Sequence, residues 1–267
     1  MRTRLLPAFV VVALSASLIA QTRVTPPSNK YKPEQDVQLG KEAADEARKQ
    51  LPVMRDDAVT SYVEDLGKRL AAAIPPEFNQ DLFHYTFETV NVRDINAFAL
   101  PGGPMFVNRG MLEAAANEGE VAGVMAHEIS HVVLRHGTAQ ASKAGKYQAG
   151  SVAGAIFGAI IGGTIGNIVA QGTQFGLGAA FLRFGRDFEK QADLEGARIM
   201  SLARYDPKDM ANMFRTIEKQ GGSGGPQWLS DHPNPGDRYA YITKEAQSLR
   251  VEGSTRCLLY TSDAADE

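Results

Sequence analysis

One pentapeptide limits this chain more than any other stretch: His127-Glu128-Ile129-Ser130-His131. The surrounding pattern predicts a helix over 118–136. Asn117 and Glu120 are spaced as a cap and its N3 partner, Val121, Val124, Met125 and Val132 form an apolar stripe, and Gly137 follows as a stop. On a helix, histidines four residues apart stack on one face and can share a metal ion. Glu128 falls beside them, able to reach a metal-bound water without being a ligand. His136 lies five residues after His131, on a different face. It reads as a polar residue favoured by the helix C-terminal dipole.

Two histidines do not complete a catalytic zinc site, which needs three protein ligands and an open position. The single cysteine, Cys257, excludes both a disulfide framework and a thiolate zinc site. A charge-rich helix predicted over 186–204 offers the missing donor, because Glu189 and Asp193 are four apart and share a face. One of them can bind the metal while the other accepts the outer N–H of a ligand histidine and fixes its tautomer.

The other elements are consistent with an α+β, mainly helical chain. Helices are predicted over 33–50, 56–74, 207–220 and 235–249, with a helical turn at 110–116 and polar helix from Gly137 to Lys146. Residues 83–90 alternate as a strand, with His84 on the polar side as an ordinary strand histidine. Asn96 to Leu100 and Met105 to Val107 flank Pro101-Gly102-Gly103-Pro104 and read as a hairpin. Gly221-Gly222-Ser223-Gly224-Gly225 reads as a mobile loop ahead of His232-Pro233.

At residues 1–20, Arg2 and Arg4 precede an apolar run and then polar sequence, the layout of an export signal. Residues 21–32 read as a linker and 33–256 as one catalytic domain. Residues 257–267 resemble a translated sequencing adapter rather than natural sequence. Tyr147 to Leu182 carries no charge, and its glycines recur every fourth residue from Gly150 to Gly166. That pattern favours a buried or surface-associated helical hairpin over a true membrane span. A net charge of −3 gives no case for nucleic acid.

These motifs together resemble the gluzincin metallopeptidases of family M48, the HtpX-like group, and most of all its exported BepA-like members. The matching residues are His127-Glu128-x-x-His131, Phe188-Glu189-x-x-Ala192-Asp193, the hairpin around Asn96-Ala97-Phe98, and His232-Pro233 with Arg238. The family's Ser-Arg ahead of its second motif is here Phe184-Gly185-Arg186, a local departure. The resemblance implies a zincin-type catalytic domain with a small antiparallel sheet and one zinc ion. It also implies Glu189 as third ligand and Asp193 as partner of a ligand histidine. Glu128 is then the general base, and Asn96, Ala97, Phe98 and Ala99 pair with a polypeptide substrate.

His232 and Arg238 are the candidate oxyanion donors. His232 could instead fill the vacant zinc position at rest or merely cap its loop, and the oxyanion role is narrowly preferred. The expected activity is hydrolysis of unfolded or misassembled envelope proteins in the periplasm, with membrane association through 147–182 left open. The alternative is a peptide-holding chaperone whose zinc site is latent.

Overall fold

The computed structural model describes residues 21–143, 184–220, 228–229, 232–234 and 236–249. The expected export signal, the uncharged segment 147–182, the Gly-rich run 221–225 and the terminal stretch 257–267 lie outside them. Eight helices and three strands are present among the described residues. They are α1 Pro33–Gln50, α2 Asp57–Ala71, β1 Thr86–Val90, β2 Ala97–Ala99, β3 Pro104–Asn108 and α3 Arg109–Ala114. The rest are α4 Glu118–Val133, α5 His136–Lys143, α6 Arg186–Leu202, α7 Pro207–Gln220 and α8 Arg238–Ser248.

β2 and β3 form the predicted antiparallel hairpin, with Phe98 opposite Phe106. Its turn is type II: Gly103 N–H donates to the Leu100 carbonyl at 3.1 Å. Pro101 sets the first corner, and Gly102 takes φ +79°, open to glycine. The sheet as a whole is mixed rather than purely antiparallel, because β1 runs parallel to β3 in the order β1-β3-β2. The chain returns from β1 through a thirteen-residue excursion that includes β2 itself, so β3 can lie beside β1 in the same direction. β2 is left as the edge strand. Met105 and Val107 point to one side of the sheet and Phe106 to the other, so both faces are buried.

α4 is not the amphipathic helix its apolar stripe implied. All sixteen of its residues are buried, because α2, α6, α7 and β2 enclose it. α7 comes close enough that a Cβ on Gly123 would lie 2.5 Å from the Met210 Cα. The predicted cap holds, with Glu120 N–H donating to Asn117 Oδ1 at 2.9 Å.

The predicted stop at Gly137 does not hold. α4 ends at Val133, and Arg135 turns the corner in the left-handed region, φ +57°. Arg135 is held there by the Asp36 carboxylate and the Tyr31 carbonyl.

Residues 21–32 have no regular structure before Pro33, yet they are fastened to the fold rather than strung between parts of it. Thr22 N–H and Oγ donate to Glu245 on α8 at 2.8 and 2.6 Å. Asn29 Nδ2 donates to Thr138 Oγ1, and Lys30 N–H to Ser142 Oγ, both on α5. No helix among the described residues is long and apolar enough to cross a membrane.

Candidate metal centre

Three segments converge on one buried point. α4 supplies His127, Glu128 and His131, α6 supplies Glu189, and the turn carrying Trp228 and His232 supplies a further imidazole. Ligand atoms of His127, His131, Glu189 and His232 all lie within 4.8 Å of one another. His127 Nε2 is 3.0 Å from His131 Nε2 and 3.2 Å from His232 Nδ1. Glu189 Oε1 is 3.1 Å from His232 Nδ1 and 3.4 Å from His131 Nε2, while Glu189 Oε2 is 3.5 Å from His127 Nε2.

Donors about 2.0–2.1 Å from a common centre at tetrahedral angles lie about 3.3–3.4 Å apart. The observed separations cluster around that value. Glu189 Oε2 is buried with no hydrogen-bond partner, the condition of a carboxylate oxygen that awaits a cation. The donor set fits a divalent metal.

Each of the two α4 imidazoles is oriented from behind, by different means. His127 Nδ1 lies 2.9 Å from Asp193 Oδ1, so its outer N–H donates to that carboxylate and Nε2 is free to face the site. Asp193 is itself gripped by Arg238, whose Nε donates to Oδ2 at 2.8 Å and whose Nη2 reaches Oδ1, and by the Tyr241 hydroxyl. Arg238 is thus committed to the back of the site, against Asp193, rather than to an approaching carbonyl. Its assignment as an oxyanion donor gains no support from that geometry.

His131 is served by a neutral relay. His136 Nε2–H donates to Gln191 Oε1 at 3.0 Å, which leaves His136 Nδ1 as acceptor for His131 Nδ1–H at 2.9 Å. This assignment of tautomers follows from the amide oxygen at the end of the chain. His136 is therefore no solvent-facing end residue. The corner at Arg135 turns it back under His131, where it is buried and stacks on Phe188 at 4.4 Å. Phe184, in the segment that departs from the expected Ser-Arg, stacks on His131 at 4.1 Å.

The electrostatics agree with these roles. Burial, with smaller help from the neighbouring His127 and Lys143, drives His136 down to about 3, and chiefly burial holds His131 well below its ordinary value. Burial also pulls on His127, but the Asp193 and Glu189 carboxylates outweigh it and push that imidazole up to about 9. Glu189 would rise on burial, yet His232, His127 and His131 hold it well below the usual carboxylate range. Paired carboxylates at this depth draw positive charge into the pocket, a demand that a bound cation meets in place of protons.

Glu128 is buried beside the donors without joining them. Its Oε1 is 3.3 Å from His232 Nε2 and accepts from Trp228 Nε1–H at 3.3 Å. The expected substrate strand, β2, packs against α4. Asn96 and Leu100 hydrogen-bond to β3, so the alternation of an antiparallel ladder turns the main chain of Ala97 and Ala99 outward. No described strand pairs with that edge. A small cavity lined by Ala99, Leu100, Pro101, His131 and Phe184 joins the end of β2 to the site.

The sequence model of Peptidase family M48 matches residues 57–246, which include every one of these donors. The chain belongs to this family. Among curated M48 relatives, the beta-barrel assembly-enhancing protease of Escherichia coli (strain K12) is 29% identical over 226 residues, 81% of this chain and 45% of that protein. A putative beta-barrel assembly-enhancing protease of Vibrio cholerae is 30% identical over 200 residues, covering 72% of this chain and 40% of its own. The mitochondrial metalloendopeptidase OMA1 of Bos taurus is 27% identical over 195 residues, 68% of this chain and 37% of its own. The chain spans less than half the length of these relatives. Peptidases of the M48 family are metal-dependent, in keeping with the buried His and Glu cluster.

Sequence reasoning missed Trp228, Gln191 and Tyr241 and misplaced His136. Tyr241 was within reach, since it follows Arg238 by three residues on a helix and shares its face. Nothing local announces Gln191 or the return of His136, because both depend on the left-handed corner at Arg135.

Proposed function

We propose that this chain is a zinc metalloendopeptidase of the cell envelope that cleaves unfolded or misassembled polypeptides. The observation that carries the reading is a buried set of donors at metal-ligand spacing with a carboxylate, Glu128, beside it and outside it. His127, His131 and Glu189 would hold zinc, which when bound supplies an acidified water and a Lewis acid for the scissile carbonyl. Glu128 takes the proton of the attacking water and hands it to the leaving amine. Asp193 and the His136–Gln191 relay keep both imidazoles with their lone pairs inward. An extended polypeptide adds to the outward edge of β2, held by main-chain bonds to Ala97 and Ala99 and led by the cavity toward His131. The envelope assignment draws on the names of the bacterial relatives and on the export-signal layout of residues 1–20.

His232 sits among the donors rather than across from them, which favours the resting-ligand role over the oxyanion role. A fourth protein donor is also what a structural site has, and this supports the second reading, a peptide-holding chaperone with a latent centre. Glu128 decides between them, since a structural site has no use for a buried carboxylate at its rim. The test is zinc content and casein cleavage, with and without a chelator, for the wild type and Glu128→Gln. The variant is expected to retain zinc and lose cleavage by roughly 10²–10⁴-fold. Wild-type cleavage that survives complete zinc removal, or a Glu128→Gln variant that cleaves normally, sinks the proposal.

A further inference from the structure

The chain has one tryptophan, and it is fully buried against the site. Trp228 stacks on Phe214 at 4.9 Å and on His232 at 4.7 Å, the latter with only 17° between the planes. One main-chain bond joins the two residues, His232 N–H donating to the Trp228 carbonyl at 2.8 Å. Their two side-chain nitrogens then meet at one atom. Trp228 Nε1 and His232 Nε2 each lie 3.3 Å from Glu128 Oε1.

Apolar packing does not account for this arrangement. An indole N–H is a donor that must be satisfied when buried, and a phenylalanine would fill the same aromatic stack without needing a partner. Here the indole's partner is the carboxylate that the peptidase reading assigns as general base. Glu128 Oε1 accepts from the indole while His232 Nε2 stands 3.3 Å from the same oxygen, so both groups crowd the approach of a water to it. The ring stack and the main-chain bond join those two groups, so withdrawing one strains the other.

We propose that Trp228 is a positioning residue of the resting state, which ties the general base to His232. The imidazole that fills the fourth donor position and the indole that occupies Glu128 engage and disengage together. The site then has two coupled locks, one on the metal position and one on the base. This inference rests on the peptidase reading and specifies how that same site is kept idle.

As the only indole in the chain, Trp228 also reports on itself. The experiment follows its emission in zinc-loaded wild type titrated with an acylated dipeptide hydroxamate, a chelating probe that needs the fourth position. Binding is expected to move the emission to longer wavelength and to increase quenching by acrylamide. His232→Ala should show the shifted emission with no probe, a comparison that needs neither metal nor turnover. Trp228→Phe keeps the stack and removes the donor. It should raise basal casein cleavage about tenfold, the effect of losing one hydrogen bond to a charged group from the resting state alone.

Unchanged emission at saturating hydroxamate overturns the proposal, as does a Trp228→Phe protein that melts like wild type but cleaves more slowly. If Trp228→Phe does not fold, the wild-type titration decides. Failure of the peptidase reading looks different: zinc-loaded wild type would then neither cleave casein nor bind the hydroxamate, and this proposal falls with it.

Discussion

Asp193→Asn separates what holds the site together from what tunes it. The Asp193 carboxylate is fully buried, and it takes Arg238 Nε at 2.8 Å and His127 Nδ1 at 2.9 Å. Arg238 is 2% exposed, and burial does not prevent the Asp193 and Glu189 carboxylates from raising its pKa, so it stays charged. Removing one partner of such a pair costs about 3–5 kcal/mol. Glu189 Oε2, 3.5 Å from Arg238 Nη2, can take up part of the stranded charge, which places the expected loss near ~3 kcal/mol.

Asp193→Asn with Arg238→Met deletes both charges and should regain most of that stability. Zinc affinity should not follow. His127 loses its anionic acceptor in both the single and the double variant, an effect of about 10–100-fold. Arg238→Met alone, with Asp193 still behind His127, should cost stability more than affinity. The measurements are urea melts of metal-free protein, which keep binding from entering the stability, and competition for zinc against a fluorescent chelator. A double variant that binds zinc as tightly as wild type would refute the assignment of Asp193. A single variant as stable as wild type would refute the buried-pair argument.

Ala99→Pro should reduce cleavage far more than melting temperature, because it removes an outward main-chain donor from the edge of β2. Equal losses in the two assays would make that edge internal. Gly123→Ala gains about 1 kcal/mol in helix propensity but forces a Cβ to 2.5 Å from the Met210 backbone. Overpacking of about 1–3 kcal/mol should win, giving a net loss in a urea melt; a more stable variant would show that α7 yields easily. Glu195 is buried on α6, and burial lifts its carboxyl from 4.5 to about 7. The folded chain therefore holds that proton more tightly than the unfolded chain, and stability falls as pH rises from about 4.5 to about 7. Glu195→Gln should match wild type at pH ~4.5 and exceed it by about 1–3 kcal/mol at pH ~8; parallel stability curves would contradict this.

Much of this architecture could be read in advance because its signals are local. Pro33 and Pro207 open α1 and α7, and Asp56 and Asn117 cap α2 and α4 through their own side chains. The four-residue spacings of His127 with His131 and of Glu189 with Asp193 carry their geometry within one helix turn. The failures are non-local. The parallel partnership of β1 with β3 is invisible to alternation, which reports a face and not a neighbour. The burial of α4 on every side depends on what surrounds it, and its apolar stripe announced only one buried face. Arg135 adopts a backbone conformation that its residue type disfavours, because Asp36 and Tyr31 from α1 and the preceding strap hold it there. No window around residue 135 contains those partners, and so the true end of α4 and the inward turn of His136 were both lost.

The wide sequence separations within the site affect how the enzyme comes into being. His127 and His232 meet across 105 residues, and Thr22 reaches Glu245 across 223. Contacts of such long range form late, after the loops they close have been ordered. A chain that stops short of Arg238 carries the pentapeptide but lacks the Arg238 and Tyr241 clamp on Asp193, the carboxylate that orients His127. Hydrolytic competence is in this sense a certificate of finished folding. A peptidase is thereby kept from acting before its own chain has folded.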